Sequence, residues 1–290
     1  MKQRNIKLAK YAGFCYGVKR AVDTVKKLKE DNPDRNIYVL GELIHNTQVI
    51  QELEMLGIKT INELPQKADG ICVIRSHGES PETFENIKQA GLEIVDLTCL
   101  DVKKVQQQAI ELIKEDYFLI IVGKPEHPEV VAIKANAQQY GDKVVVAPNS
   151  SVLKSYEDEI KKHKKVGVVV QTTQRVDNLK DIVDYLIPIS KDLRVKNTIC
   201  PSTAMRQKEA KELAQESDLM IVVGSKKSAN TTHLAEILKE FSETIHIEND
   251  EELTNFNELI ENSQNIGVTA GASTPQYIIE KVVNKLKGGI

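Results

Sequence analysis

At 290 residues, 41% hydrophobic and 28% charged, the chain has the composition of a soluble globular protein with room for more than one domain. A formal net charge of -3, with eight Tyr, five Phe and no Trp, offers neither a basic field nor stacking platforms, which argues against nucleic acid as a partner. The first residues, Met1-Lys2-Gln3-Arg4-Asn5-Ile6, lack the apolar stretch of a signal peptide, and runs such as Phe118 to Val122 are too short to span a bilayer, so a cytoplasmic protein without a membrane partner is expected.

In chain order, Gly13-Phe14-Cys15-Tyr16-Gly17 precedes a helix predicted from Tyr16 to Glu30, where Val18, Ala21, Val22, Val25 and Leu28 follow helical spacing. A strand, Ile37 to Leu40, ends at Gly41, and a second, Ile71 to Ile74, runs into Arg75-Ser76-His77-Gly78. The layout then recurs. Cys99 precedes a helix marked by Val102, Val105, Ala109, Leu112 and Ile113; a strand ends at Val122-Gly123; Val144 to Val146 and Val166 to Val170 read as strands, the latter entering Gln171-Thr172-Thr173. Cys200 is followed by a helix, by a strand from Leu219 to Val223 ending at Gly224, and by Ile266 to Thr269, which enters Ala270-Gly271-Ala272-Ser273. Gly123 and Gly224 each lie 24 residues beyond their cysteine and Gly41 lies 26 beyond Cys15, while Thr172 and Ser273 each lie 73 residues beyond theirs. The chain thus reads as one α/β unit used three times, at residues 1–90, 91–190 and 191–290, with parallel sheets covered by helices.

A lone cysteine in such a place is as readily a small buried core residue. Three at equivalent positions point to a shared role, because a helix start favours the thiolate that binds metal, and Pro201 after Cys200 is tolerated in a first turn. Cys72, inside Ile71-Cys72-Val73-Ile74, matches no repeat position and reads as core. Cys15, Cys99 and Cys200 lack the close pairing of a structural zinc ribbon, and soft thiolates suit an iron–sulfur cluster with one iron left open. Loops rich in Ser, Thr, Asn and His, with His45, His77 and His127 among them, suit an anion such as phosphate. His163, His233 and His246 read as structural or solvated. Glu129, two residues after His127, reads equally as a proton donor or as a first-turn carboxylate meeting the helix dipole, and Thr172 as the group orienting it or the substrate.

Together, Gly13-Phe14-Cys15-Tyr16-Gly17-Val18, Ile44-His45-Asn46, Ser76-His77-Gly78, Thr98-Cys99, His127-Pro128-Glu129, Gln171-Thr172-Thr173, Ile199-Cys200, Ser228-Ala229-Asn230-Thr231 and Thr269-Ala270-Gly271-Ala272-Ser273 resemble the 4-hydroxy-3-methylbut-2-enyl diphosphate reductase family from about residue 5 to 285. The resemblance implies three similar α/β domains in a pseudo-threefold trefoil around a central four-iron four-sulfur cluster. It implies reductive dehydroxylation of the allylic diphosphate to isopentenyl and dimethylallyl diphosphates. By it Cys15, Cys99 and Cys200 hold the cluster, whose fourth iron is open; Glu129 supplies protons with Thr172 ordering the relay; and His45, His77, His127, Ser228, Asn230 and Ser273 hold the diphosphate. It also implies a ferredoxin or flavodoxin as electron donor. A monomer is expected, since no exposed heptad or large apolar stripe is evident. Ala229 stands where the family often has a second Ser, and Lys124-Pro125-Glu126 differs from the Gly- and His-containing forms of some members. Two other readings stand beside this one: a non-redox iron–sulfur lyase of the quinolinate synthase type, and a non-enzymatic cluster sensor.

Overall fold

The computed structural model describes residues 4–65 and 69–288. Its elements run β1 (Asn5–Leu8), α1 (Tyr16–Asp31), β2 (Ile37–Leu40), α2 (Thr47–Met55), β3 (Ile58–Ile61), β4 (Ile71–Ile74), α3 (Pro81–Gln89), β5 (Glu93–Asp96), α4 (Leu100–Lys114), β6 (Phe118–Val122), α5 (Pro128–Gln138) and β7 (Val144–Ala147). They continue with α6 (Ser150–Leu153), α7 (Glu157–His163), β8 (Lys165–Val170), α8 (Val176–Leu186), β9 (Asp192–Val195), α9 (Pro201–Ala214), β10 (Leu219–Val223), α10 (Ala229–Leu238), β11 (Glu243–Ile247), α11 (Asn257–Asn262), β12 (Asn265–Ala270) and α12 (Gln276–Gly288). They form two compact units. A central unit takes Thr24–Leu43 and Leu56–Cys200; a terminal unit takes the chain up to Asp23, Ile44–Met55 and the chain from Pro201.

The central unit holds two four-stranded sheets, β3-β2-β4-β5 and β7-β6-β8-β9, and the terminal unit holds one, β11-β10-β12-β1, with every pairing parallel. One strand order serves all three, as the threefold repeat predicts. Three inner strands are apolar at every position because helices cover both faces: β6 and β10 are buried throughout, and so is β4. Alternate residues of β6 enter different cores. Phe118, Ile120 and Val122 pack with Leu179, Ile182 and Leu186 of α8, whereas Leu119 and Ile121 pack with Val105, Ala109 and Leu112 of α4 and with Val130 and Ile133 of α5. In the terminal unit Leu219, Ile221 and Val223 meet Ile278, Ile279 and Val282 of α12, and Met220 and Val222 meet Ala210 and Ala214 of α9 and Leu234 of α10. Cys72 is fully buried in β4, as expected of a core residue.

The sheets divide the chain later than boundaries near residues 90 and 190. β5 and β9, which those boundaries place at the head of the second and third repeats, pair instead with β4 and β8 and complete the sheets before them. β1 does the same for the last sheet through β12. These are short, half-exposed edge strands, and their ladder bonds come from the buried strand beside them. Each leads to a cysteine: β1 to Cys15, β5 to Cys99, β9 to Cys200. In every sheet the first and third strands lie side by side, and in the two sheets of the central unit they connect outward to opposite edges, leaving a crevice at their C-terminal ends.

The close approach at one such exit is steric. A Cβ at Gly271 would lie 1.8 Å from the Oγ1 of Thr231, a fully buried residue of α10. Gly271→Ala should therefore cost about 1–3 kcal/mol in urea unfolding, with most of the loss recovered in the Gly271→Ala/Thr231→Ala double variant.

Candidate functional site

Each of the three cysteines is pinned in the same way. The backbone N–H of Cys99 donates to the carbonyl of Ser76 at 3.0 Å, that of Cys200 to Thr172 at 2.9 Å, and that of Cys15 to Ala272 at 3.3 Å. Each acceptor lies just past the end of the third strand of its sheet. Cys99 is the N-cap of α4, Cys15 precedes α1 and Cys200 precedes α9, so all three thiols sit at helix starts, half-buried. The Cys15 sulfur accepts the Val18 N–H at 3.5 Å. As a donor set, partly accessible thiols with helix dipoles behind them fit a soft metal or an iron–sulfur group. Cys72 does not: burial, with the charge of Glu79 adding to it, pushes its thiol up to about 11.

In the central unit the exits of β6 and β8 meet. His127 caps α5, its Nδ1 accepting the Glu129 N–H at 3.2 Å, and Pro128 opens the helix. This turn puts Glu129 in the first turn of α5 and 1% exposed, against the β8 exit. Both oxygens of its carboxylate are engaged by one residue: Thr172 donates its N–H to Oε1 at 2.7 Å and its hydroxyl to Oε2 at 2.7 Å. Because the Thr172 carbonyl also accepts from Cys200, this residue joins the carboxyl group to a thiol-bearing turn. Burial pushes the Glu129 carboxyl up to about 7, with Asp101 adding to the rise and the two Thr172 bonds opposing it. Glu129 is thus a first-turn carboxylate, and burial moves its pKa toward neutrality. His77, in the β4 exit, meets His127 edge-on with ring centroids 5.4 Å apart. The Lys124-Pro125-Glu126 loop keeps the His127-Pro128-Glu129 unit in place through His127 N–H to the Lys124 carbonyl and Lys124 N–H to Gln171 Oε1.

In the terminal unit the exits of β10 and β12 carry the other predicted residues. Ser228 is the N-cap of α10, Ala229 and Asn230 form its first turn, and Ser228, Asn230 and Ser273 are all buried. The Nδ2 of Asn230 has no hydrogen-bond partner among the described residues, a buried donor suited to an anionic oxygen. Ala229 still offers its helix-start N–H. Ser273 donates to the carbonyl of His45 at 3.2 Å. His233, on α10, is buried, while His163 and His246 bond to backbone carbonyls, consistent with structural roles.

Asp101 escaped the reading of the sequence. Its Oδ2 accepts the Cys200 thiol at 3.0 Å, and its charge helps raise Glu129. The signal was its position two residues beyond Cys99, which puts a carboxylate in the first turn of α4.

A parallel α/β scaffold with thiols and a buried acid at its strand exits defines the class, and the chain belongs to the LytB protein family, whose model matches residues 6–287. Its relatives are reductases. It is 42% identical over 281 residues to the 4-hydroxy-3-methylbut-2-enyl diphosphate reductase of Geotalea uraniireducens (strain Rf4), covering 97% of this chain and 96% of that one. It is similar to a solved (E)-4-hydroxy-3-methyl-but-2-enyl diphosphate reductase, described as the terminal enzyme of the non-mevalonate pathway, with TM-score 0.74 and 37% identity over 98% of this chain and 99% of that one. The E-1-hydroxy-2-methyl-but-2-enyl-4-diphosphate reductase of Plasmodium falciparum matches with TM-score 0.86 and 28% identity over 99% of this chain and 91% of that one. The lyase and sensor readings are not favoured.

The raised pKa of Glu129 fixes the direction of its effect on stability. Between about pH 4.5, the ordinary carboxyl value, and about pH 7, the unfolded chain has released a proton that the native chain keeps, so native stability falls as pH rises through that window. Glu129→Gln can still accept the Thr172 N–H and donate to its hydroxyl, and it has no proton to lose. Its stability relative to wild type should grow across the window, by up to about 3 kcal/mol, in urea midpoints measured from pH 4.5 to 8.

Proposed function

We infer that this chain catalyses the reductive dehydroxylation of 4-hydroxy-3-methylbut-2-enyl diphosphate: two electrons and two protons enter, the allylic hydroxyl leaves as water, and isopentenyl and dimethylallyl diphosphates form. The observation that carries the reading is the buried Glu129 held by both donors of Thr172, because breaking a carbon–oxygen bond with loss of water needs an acid protonated near neutral pH. The family match and near full-length similarity to reductases support it.

By this reading Cys15, Cys99 and Cys200 would hold a four-iron four-sulfur cluster with one open iron, which when bound would relay the donor's two electrons and offer a Lewis acid to the hydroxyl oxygen. Glu129 delivers protons from its buried carboxyl, and Thr172 fixes both carboxyl oxygens so that the proton is presented in one direction. His45, His77, His127, Ser228, Asn230 and Ser273 bind the diphosphate, the unpartnered Nδ2 of Asn230 donating to it; fixing that end orients the allyl group, so much of the rate enhancement is positional. A ferredoxin or flavodoxin donates the electrons. The enzyme works as a monomer in the cytoplasm; no described helix is long and apolar enough to cross a membrane.

Protein purified without oxygen should oxidise a reduced viologen only when the allylic diphosphate is present; iron-replete protein that shows no such oxidation would contradict the reading. Glu129→Gln should keep its iron and its diphosphate affinity while turnover drops about 100-fold or more. Asn230→Ala should raise KM more than it lowers kcat, measured in the same assay.

A further inference from the structure

The three cysteines are approached by loops of different length, held by different means. Residues 97–98 link β5 to Cys99, and Thr98 fixes them by donating its N–H and hydroxyl to Asp96 Oδ1 at 2.9 and 2.5 Å. Residues 196–199 link β9 to Cys200, and there the Thr198 hydroxyl accepts from the Val170 N–H at 2.7 Å and donates to the Val170 carbonyl at 2.5 Å. The approach to Cys15, residues 9–14, is the longest and contains no threonine. It is tied instead to α9. Arg206 donates from Nε to the Tyr11 carbonyl at 2.9 Å and from Nη2 to the Gly13 carbonyl at 2.7 Å. One turn further on, Glu209 accepts the Lys10 N–H at 2.7 Å and the Tyr11 N–H at 2.8 Å, one on each carboxylate oxygen. Two charged side chains of one helix thus satisfy two carbonyls and two amides within Lys10-Tyr11-Ala12-Gly13. Arg206 is 4% exposed, and a guanidinium is held out of water only where such bonds compensate it. Gly13, at φ +95°, supplies the turn that ends the clamped segment, and a Cβ there would press on Ile279 at 3.0 Å.

We propose that Arg206 and Glu209 are positioning residues that hold the Cys15 loop ready for the iron–sulfur group, replacing the threonine anchors of the other two cysteines. The proposal rests on the iron–sulfur reading above. Conservative changes should be costly. Lys at 206 cannot reach two carbonyls at once with a fixed fork, and Gln at 209 turns a donor toward the Tyr11 N–H.

The test uses holoenzyme prepared without oxygen, measuring the rate at which a ferrous chelator removes iron and the electron paramagnetic resonance spectrum of the reduced protein. Arg206→Gln and Glu209→Gln should lose iron about tenfold faster than wild type or more, with an altered spectrum, and Arg206→Lys should recover part of the difference. Glu216→Gln, which removes only the exposed pair with Lys7 in the same unit, should match wild type. If Arg206→Gln does not accumulate as folded protein, the half-buried Glu209 carries the test alone. Iron loss at the wild-type rate with an unchanged spectrum overturns the proposal. So does acceleration equalled by Ile260→Val, a core change in the same unit, at equal melting temperature. Wild-type protein that takes up no iron overturns the iron–sulfur reading itself, and the proposal with it.

Discussion

The paired hydrogen bonds from Thr172 to Glu129 are the interaction on which the proposed proton-donor role depends. A carboxyl group buried to 1% exposure is costly as an anion, and two short bonds from one residue leave it close to balance between its charged and neutral forms. Burial raises the pKa of the group, and the two Thr172 bonds lower it. Together they hold it near neutrality, where an acid gives up its proton and regains it most readily. The strand order makes this contact available: β6 and β8 are neighbours whose connections leave toward opposite edges, so the loops that follow them face each other.

The same order in three sheets explains why thiols and polar loops recur together. An edge strand leads through a loop to each cysteine, and the cysteine's N–H is held by the loop after the third strand, so each thiol is fixed to a strand exit by backbone geometry. The side chains on those exits then differ. In the central unit they supply the acid, its threonine and two imidazoles; in the terminal unit they supply hydroxyls and the Asn230 amide. Repetition of the backbone with divergence of the loops places the buried carboxyl group on one scaffold copy and the buried hydroxyls and amide on another, the division that the proposed function assigns to proton delivery and anion binding.

Much of this was legible in the chain. The helices after Cys15 and Cys99 and the strands at Ile71, Val166 and Leu219 follow from periodicity and buried apolar runs, and the repeat follows from the fixed distances between cysteines, glycines and threonines. The sheet boundaries were hidden because Glu93-Ile94-Val95-Asp96 and Asp192-Leu193-Arg194-Val195 are edge strands, too short and polar to show which neighbour they pair with. The burial of Glu129 could not be read from spacing, because the segment that covers it lies 43 residues away. Asp101, Arg206 and Glu209 were invisible for the same reason: each is an ordinary helical charge until the loop it faces is known.

The most direct test of the account is the protonation of Glu129, followed by infrared difference spectroscopy between wild type and Glu129→Gln as pH is varied. A protonated carboxyl band that persists through the ordinary carboxylate range and fades near pH 7 is the predicted result. A band lost by about pH 4.5 would show an ordinary carboxylate, and the proton-donor role built on its burial would fall.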